Sequence, residues 1–145
     1  ALSVNYDQSQ VVIRFSEEAT FRSGEAAIKP EMIPIIERVV EVLSACEGDI
    51  LVSGYTDDRP ISSERYRSNW DLSAARAVSV VHELVMNRQV SAERVVAAGR
   101  AETNPLAPND SPENRALNRR VEIAIRNPEC SDQLPAGELP VEIRP

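Results

Sequence analysis

The spacing of apolar residues changes repeatedly along this chain, and each change marks an element. Val11, Ile13 and Phe15 alternate with Val12 and Arg14, a period of two that predicts a half-buried strand. Between residues 30 and 45 the period lengthens: Met32, Ile36, Val39 and Leu43 line one face of a helix, and Glu37, Arg38 and Glu41 stay off it. Pro30 and Pro34 confine the start of that helix, because proline is tolerated only in the first turn, and Gly48 is placed to stop it. Asp49 to Ser53 is a short apolar run between Gly48 and Gly54, the pattern of a central strand covered on both sides.

A polar loop with Pro60 leads to a predicted helix over 69–88. Ser68, with Asp71 three residues on, reads as a capping-box-like start, and Ala74, Val78, Val81 and Val85 as the buried stripe. That stripe places Arg76 on the solvent side. Arg94 to Ala98 is a further short strand ended by Gly99, and Ser111-Pro112-Glu113 an N-cap with proline in the first turn of a short helix. Val121, Ile123 and Ile125 alternate with Glu122, Ala124 and Arg126 in a last strand that shows one face to water. Strands alternating with helices predict an α/β two-layer sandwich, a mixed four-stranded sheet with helices on one side. The expected division is a lead-in over 1–9, a domain over 10–126 and a proline-rich tail over 127–145. The period-two spacing of Leu139, Val141 and Ile143 would let that tail form an edge.

At 145 residues the chain is one domain's worth, large enough to bury a core without metal or disulfide help. No apolar run approaches the roughly 20 residues of a membrane span. The chain starts Ala1-Leu2-Ser3 and shows no basic-then-apolar signal segment, so a piece of something longer is expected, with any anchor upstream. A net charge of −7 argues against nucleic acid, which needs a basic patch to release phosphate counterions. Catalysis and cofactors find no foothold: there is no P-loop or G-x-G-x-x-G, His82 stands alone, and Cys46 and Cys130 are 84 positions apart, so no metal set forms. Trp70 and the three tyrosines are candidates for stacking on sugars, but Trp70 in a first helical turn reads better as a staple over the core.

The densest chemistry lies between Gly54 and Ala77, where Asp57 follows a strand and Arg76 sits in the next helix. One side chain prefers cations and the other grips carboxylates, as a zwitterion site requires. An Asp just past a strand also has a plain turn-forming role, and the residues alone leave both readings open.

The spelling resembles the OmpA-like peptidoglycan-binding domain. Three blocks occur in order: Gly54-Tyr55-Thr56-Asp57, Asn69 through Leu72-Ser73 to Arg76-Ala77, and Asn118-Arg119-Arg120-Val121-Glu122, with Gly99, Glu102, Pro105, Asn109 and Arg115 between the last two. The resemblance covers roughly residues 10–126. It implies the same fold and a non-catalytic grip on meso-diaminopimelate, the cross-linking residue of peptidoglycan stem peptides. Asp57 would hold its ammonium and Arg76 its carboxylate, supported by Thr56, Asn69, Leu72, Asn118 and Arg119, while Arg120 and Glu122 would be structural partners. Arg76 stands nineteen positions after Asp57, and the D-D-R-P-I and S-N-W-D-L-S-A-A-R-A spellings look most like the flagellar stator branch, MotB and its relatives.

That branch implies a periplasmic domain of a membrane-anchored, Gram-negative inner-membrane protein that acts in pairs, hence a weak homodimer. Anchors of type VI secretion carry the same kind of domain, and a cell-wall hydrolase is the alternative from another class. A periplasmic address permits oxidation, and a Cys46–Cys130 disulfide is expected if the second and last strands are antiparallel neighbours.

Overall fold

The computed structural model describes the backbone of residues 2–6, 10–86, 88–127 and 141–144, and side chains within 10–86 and 88–127. The elements run β1 (Leu2–Tyr6), β2 (Val11–Ser16), α1 (Glu17–Thr20), α2 (Ile33–Ser44), β3 (Ile50–Tyr55), α3 (Asn69–Val85), β4 (Val95–Gly99), α4 (Pro112–Asn118), β5 (Arg120–Ile125) and β6 (Val141–Arg144). Pro30 opens a 3-10 turn and Pro34 lies in the first turn of α2, where a missing N–H leaves no helical bond unmade. The predicted stripe of α2 is the observed one: Met32, Ile36, Val39 and Leu43 are all buried. Ser111 caps α4 by accepting from the Asn114 N–H at 3.1 Å.

The sheet order is β4-β3-β5-β2-β1-β6. β3 and β4 are parallel, joined by α3 as the crossover, and β5 runs antiparallel between β3 and β2. These four strands are the predicted mixed sheet. β1 and β6 then extend it from the two ends of the chain, β1 antiparallel to β2 and β6 parallel to β1 with Leu2 opposite Val141. The tail thus supplies a strand at Val141–Arg144, whereas Leu139 and Cys130 lie outside the described residues.

Alternation sorts the sheet's two faces. Val11, Ile13 and Phe15 of β2 meet Val121, Ile123 and Ile125 of β5 and Val52 of β3, and α2 and α3 cover them with Ile36, Val39, Leu43, Val80 and Leu84. The opposite face carries a charged ladder in which Arg14 and Arg120 both bond Glu122, at 2.8 and 2.7 Å, and the Arg120 guanidinium lies 3.9 Å from the Tyr55 ring centre. Arg120 and Glu122 are therefore structural, as expected. Because neighbours on a strand point to opposite faces, Arg119 emerges toward the helices.

Three expectations about α3 need correction. Its buried face is Leu72, Ser73, Arg76, Ala77, Val80 and Leu84, rotated by roughly a third of a turn from Ala74, Val78, Val81 and Val85, and Val78 is exposed. Arg76, expected in solvent, is only 2% exposed. The cause is tertiary: the segment between α1 and α2 folds across the first half of α3 and offers carbonyls and the Phe21 ring to a guanidinium. Second, the Ser68 hydroxyl makes no cap bond; Asp71 accepts from the Arg67 N–H at 3.0 Å instead, one residue further out. Third, Trp70 is no staple over the core but is 53% exposed beside Asp58, Pro60 and Glu102.

Two glycines let α3 sit close on the sheet. A Cβ at Gly54 would collide with the Ser73 carbonyl oxygen, and one at Gly99 would lie within 2.7 Å of the Ala74 backbone. The Ser73 hydroxyl accepts from the Ala101 N–H at 3.0 Å, and the Ala101 carbonyl accepts from the Thr56 N–H at 2.8 Å. These bonds hold Ala101 in the left-handed region, at φ 52°, and tie the end of β3 to α3 and to the loop after β4.

Candidate functional site

Where β3 ends, Thr56 and Asp57 leave the sheet beside the start of α3. The Thr56 hydroxyl donates to the Asp57 carbonyl at 2.8 Å, and one Asp57 carboxylate oxygen accepts from the Arg59 N–H at 3.0 Å. The turn-forming role open to Asp57 is thus real. Asn69, the first residue of α3, donates to the carbonyls of Arg59 at 3.0 Å and Asp57 at 3.4 Å and so fixes the loop over the helix end. Asp57 is 7% exposed, and its second oxygen, Oδ2, faces Arg119 rather than the loop.

That oxygen begins a chain of alternating charges. Asp57 Oδ2 accepts from Arg119 Nη1 at 2.8 Å, and Arg119 Nε donates to Glu17 Oε1 at 3.2 Å. The other Glu17 oxygen accepts from Arg76 Nη1. Arg76 is further held by the carbonyls of Glu25 at 2.8 Å and Arg22 at 3.3 Å, with its guanidinium 4.9 Å from the Phe21 ring centre. Burial works against the Arg119 charge, but the hydrogen bond it donates to Asp57 and the charges of Glu17 and Asp57 outweigh it and raise its pKa above the ordinary arginine value. Two carboxylates and two guanidiniums thus form one charge-balanced network, and charge-assisted bonds between such groups are the strong kind.

The network opens into a cleft of about 370 Å³ lined by Glu17, Ser23, Gly24, Thr56, Asp57, Arg59, Pro60, Ile61, Asn69, Leu72 and Arg119. Five of the expected site residues are brought together there: Thr56, Asp57, Asn69, Leu72 and Arg119. Arg76 reaches the cleft only through Glu17. Asn118 does not reach it at all: it is fully buried, and its amide binds the N–H groups of Leu106 and Ala107, the Ala107 carbonyl and the Asn109 side chain, which shapes the loop before α4.

Glu17 is the residue that sequence reasoning missed. The signal was the register of two antiparallel strands: Ser16 pairs with Arg120, so Glu17 must stand beside Arg119, and its N–H donates to the Arg119 carbonyl at 2.9 Å. Among the described residues no cluster of histidine, cysteine, aspartate or glutamate is arranged to hold a metal ion. Cys46 lies just before β3, which is the antiparallel neighbour of β5, but Cys130 is outside the described residues, and their pairing remains a proposal.

Known proteins place this geometry in a family. The OmpA family model matches residues 20–119. Motility protein B of Bacillus subtilis is 35% identical over 116 residues, covering 79% of this chain and 44% of that protein. Among solved structures, the cell wall anchor of the type VI secretion system from Pseudomonas aeruginosa has TM-score 0.81 and 38% identity, covering 86% of this chain and 87% of that one. The periplasmic domain of Helicobacter pylori MotB has TM-score 0.78 and 30% identity, covering 88% and 83%. The chain spans about half or less of the length of the curated relatives it matches, 52% and 44% for the first two. Sequence blocks, fold and neighbours agree, and the chain belongs to the OmpA family.

Proposed function

We propose that this domain is a non-catalytic peptidoglycan anchor that grips the meso-diaminopimelate of a stem peptide. The observation that carries the reading is the charge network that runs from Asp57 through Arg119 and Glu17 to Arg76 at the wall of the cleft. A zwitterionic side-chain end brings an ammonium and a carboxylate to one place. Asp57 Oδ2 accepts from the ammonium, and the guanidiniums that converge on Glu17 receive the carboxylate. Thr56 and Asn69 fix the Asp57 loop, and Leu72 supplies an apolar wall for the ligand's methylene chain. The relatives support the same reading, since one is a cell wall anchor and others are periplasmic domains of a motility protein.

The domain would then act on the periplasmic side of an envelope protein of a Gram-negative bacterium, tethering a larger membrane-anchored complex to the wall. Two complexes fit, a flagellar stator and a type VI secretion machine, and the higher identity to the secretion anchor gives the second reading its weight. No helix among the described residues is long and apolar enough to cross a membrane, so any such tether belongs to a segment outside them.

Pull-down with purified sacculi tests the proposal. The domain should sediment with diaminopimelate-type sacculi, be released by soluble stem peptide, and liberate no sugar or peptide fragments. Absence of co-sedimentation rejects an anchor, and fragment release points to a hydrolase.

A further inference from the structure

Glu17 occupies the arginine pair of the proposed site, and any part it plays in ligand choice rests on the peptidoglycan reading. Its main chain is pinned to the wall of the cleft by the bond to the Arg119 carbonyl, and its carboxylate is shared between Arg119 Nε and Arg76 Nη1. The remaining contacts of Arg76 go to the carbonyls of Glu25 and Arg22 and to the face of Phe21. Glu17 lines the cleft and Arg76 does not, so the way from the cleft to Arg76 leads through the Glu17 carboxylate.

We infer that Glu17 is a specificity-determining residue, an internal carboxylate seated on the arginine pair that a ligand carboxylate must claim. Binding is then an exchange of one carboxylate for another. Arg76 and Arg119 gain little from trading like for like, and the displaced Glu17 becomes a second anion that needs a cation nearby. A ligand that brings an ammonium beside its carboxylate supplies that cation, to Glu17 and Asp57 together, and the site stays neutral. A carboxylate without an ammonium leaves a partly buried negative charge uncompensated, which is the kind of repulsive element on which discrimination rests. Glu17 therefore makes the site reject simple carboxylates as firmly as Asp57 makes it accept ammonium.

Calorimetric titration with two probes tests this: a stem tripeptide ending in meso-diaminopimelate, and pimelate, which has the same carbon chain and both terminal carboxylates but no amines. The parent protein should bind the tripeptide and reject pimelate. Glu17→Gln should accept pimelate and lose at least about tenfold of its preference for the tripeptide, a change of about 1.4 kcal/mol. Glu17→Ala, which lets water solvate the two arginines, should show the same gain, so one poorly folded variant does not decide the matter. Glu17→Asp keeps the charge and should still reject pimelate. The inference is overturned if the folded Gln or Ala variant rejects pimelate like the parent, or if the Asp variant accepts it. A parent protein that fails to bind the tripeptide overturns the peptidoglycan reading instead, and this inference with it.

Discussion

At the scale of single residues, the fate of Arg76 changes what its removal should do. A guanidinium on the solvent side of a helix could be deleted without cost to the fold, but this one is buried against Phe21 and neutralises Glu17. Arg76→Ala should lower stability by about 3 kcal/mol, because it leaves the partly buried Glu17 carboxylate with Arg119 as its one remaining cation and removes a stacked side chain. Adding Glu17→Ala should recover part of that loss, and chemical denaturation of the single and double variants measures the coupling. Arg76→Lys should keep most of the fold yet weaken the site, since the guanidinium meets Glu25, Glu17 and Arg22 from three different nitrogens and a single compact ammonium cannot stand in all three places.

The raised pKa of Arg119 has its own consequence. Its contribution to stability is fully present below the ordinary arginine pKa and is lost only as pH rises through the higher folded value, far above neutrality. A pH titration of stability should therefore show no loss from this group between about pH 6 and 9.

At the scale of elements, the helix–sheet contact explains two residues of the sequence blocks that never touch the cleft. Gly54 and Gly99 leave room for the backbone of α3 at Ser73 and Ala74, and backbone cannot step aside as a side-chain end does. Gly54→Ala or Gly99→Ala should destabilise by about 2 kcal/mol or more, read as a lower denaturant midpoint, and should weaken the site by moving α3 away from the Asp57 loop. The same contact shows where sequence reading fell short. The stripe of α2 was legible because one apolar face meets one apolar sheet. The stripe of α3 was not, because two different surfaces cover it: the sheet takes Ala77, Val80 and Leu84, and the segment over residues 21–26 takes Leu72 and Arg76. A rule that expects buried positions to be apolar skips an arginine that is buried by carbonyls. That Asp57, Thr56, Asn69, Leu72 and Arg119 line one cleft was legible because their blocks are local in sequence, whereas the place of Glu17 beside them needed the strand register to be known first.

At the scale of the whole molecule, the two chain ends meet. β1 and β6 pair with each other at one edge of the sheet, beyond β2, so Leu2–Tyr6 and Val141–Arg144 lie side by side there. We further propose that Cys46 and Cys130 are joined, since the ends of β3 and β5 that carry the flanking segments are neighbours, with Ile50 opposite Ile125. Thiol titration of the unfolded, unreduced protein should find none free, and reduction should cost about 3 kcal/mol; two free thiols would refute the pairing. Among the described residues, the exposed large apolar side chains, Trp70, Val78, Met86, Val96, Leu106 and Leu117, are spread over several elements. Self-association should accordingly be weak, visible in sedimentation only as concentration rises.

The central claim is that Asp57 and its arginine partners read the zwitterionic end of diaminopimelate. Its most direct test is sacculus binding by the parent and by Asp57→Ala, each shown folded by circular dichroism, on diaminopimelate-type and lysine-type peptidoglycan. The account predicts that the parent binds only the first type, because lysine lacks the distal carboxylate. It also predicts that Asp57→Ala binds neither, a loss on the order of 2 to 5 kcal/mol where such a charge is left unpaired. A folded Asp57→Ala variant that still binds diaminopimelate-type sacculi like the parent, or a parent that binds both types equally, would contradict it.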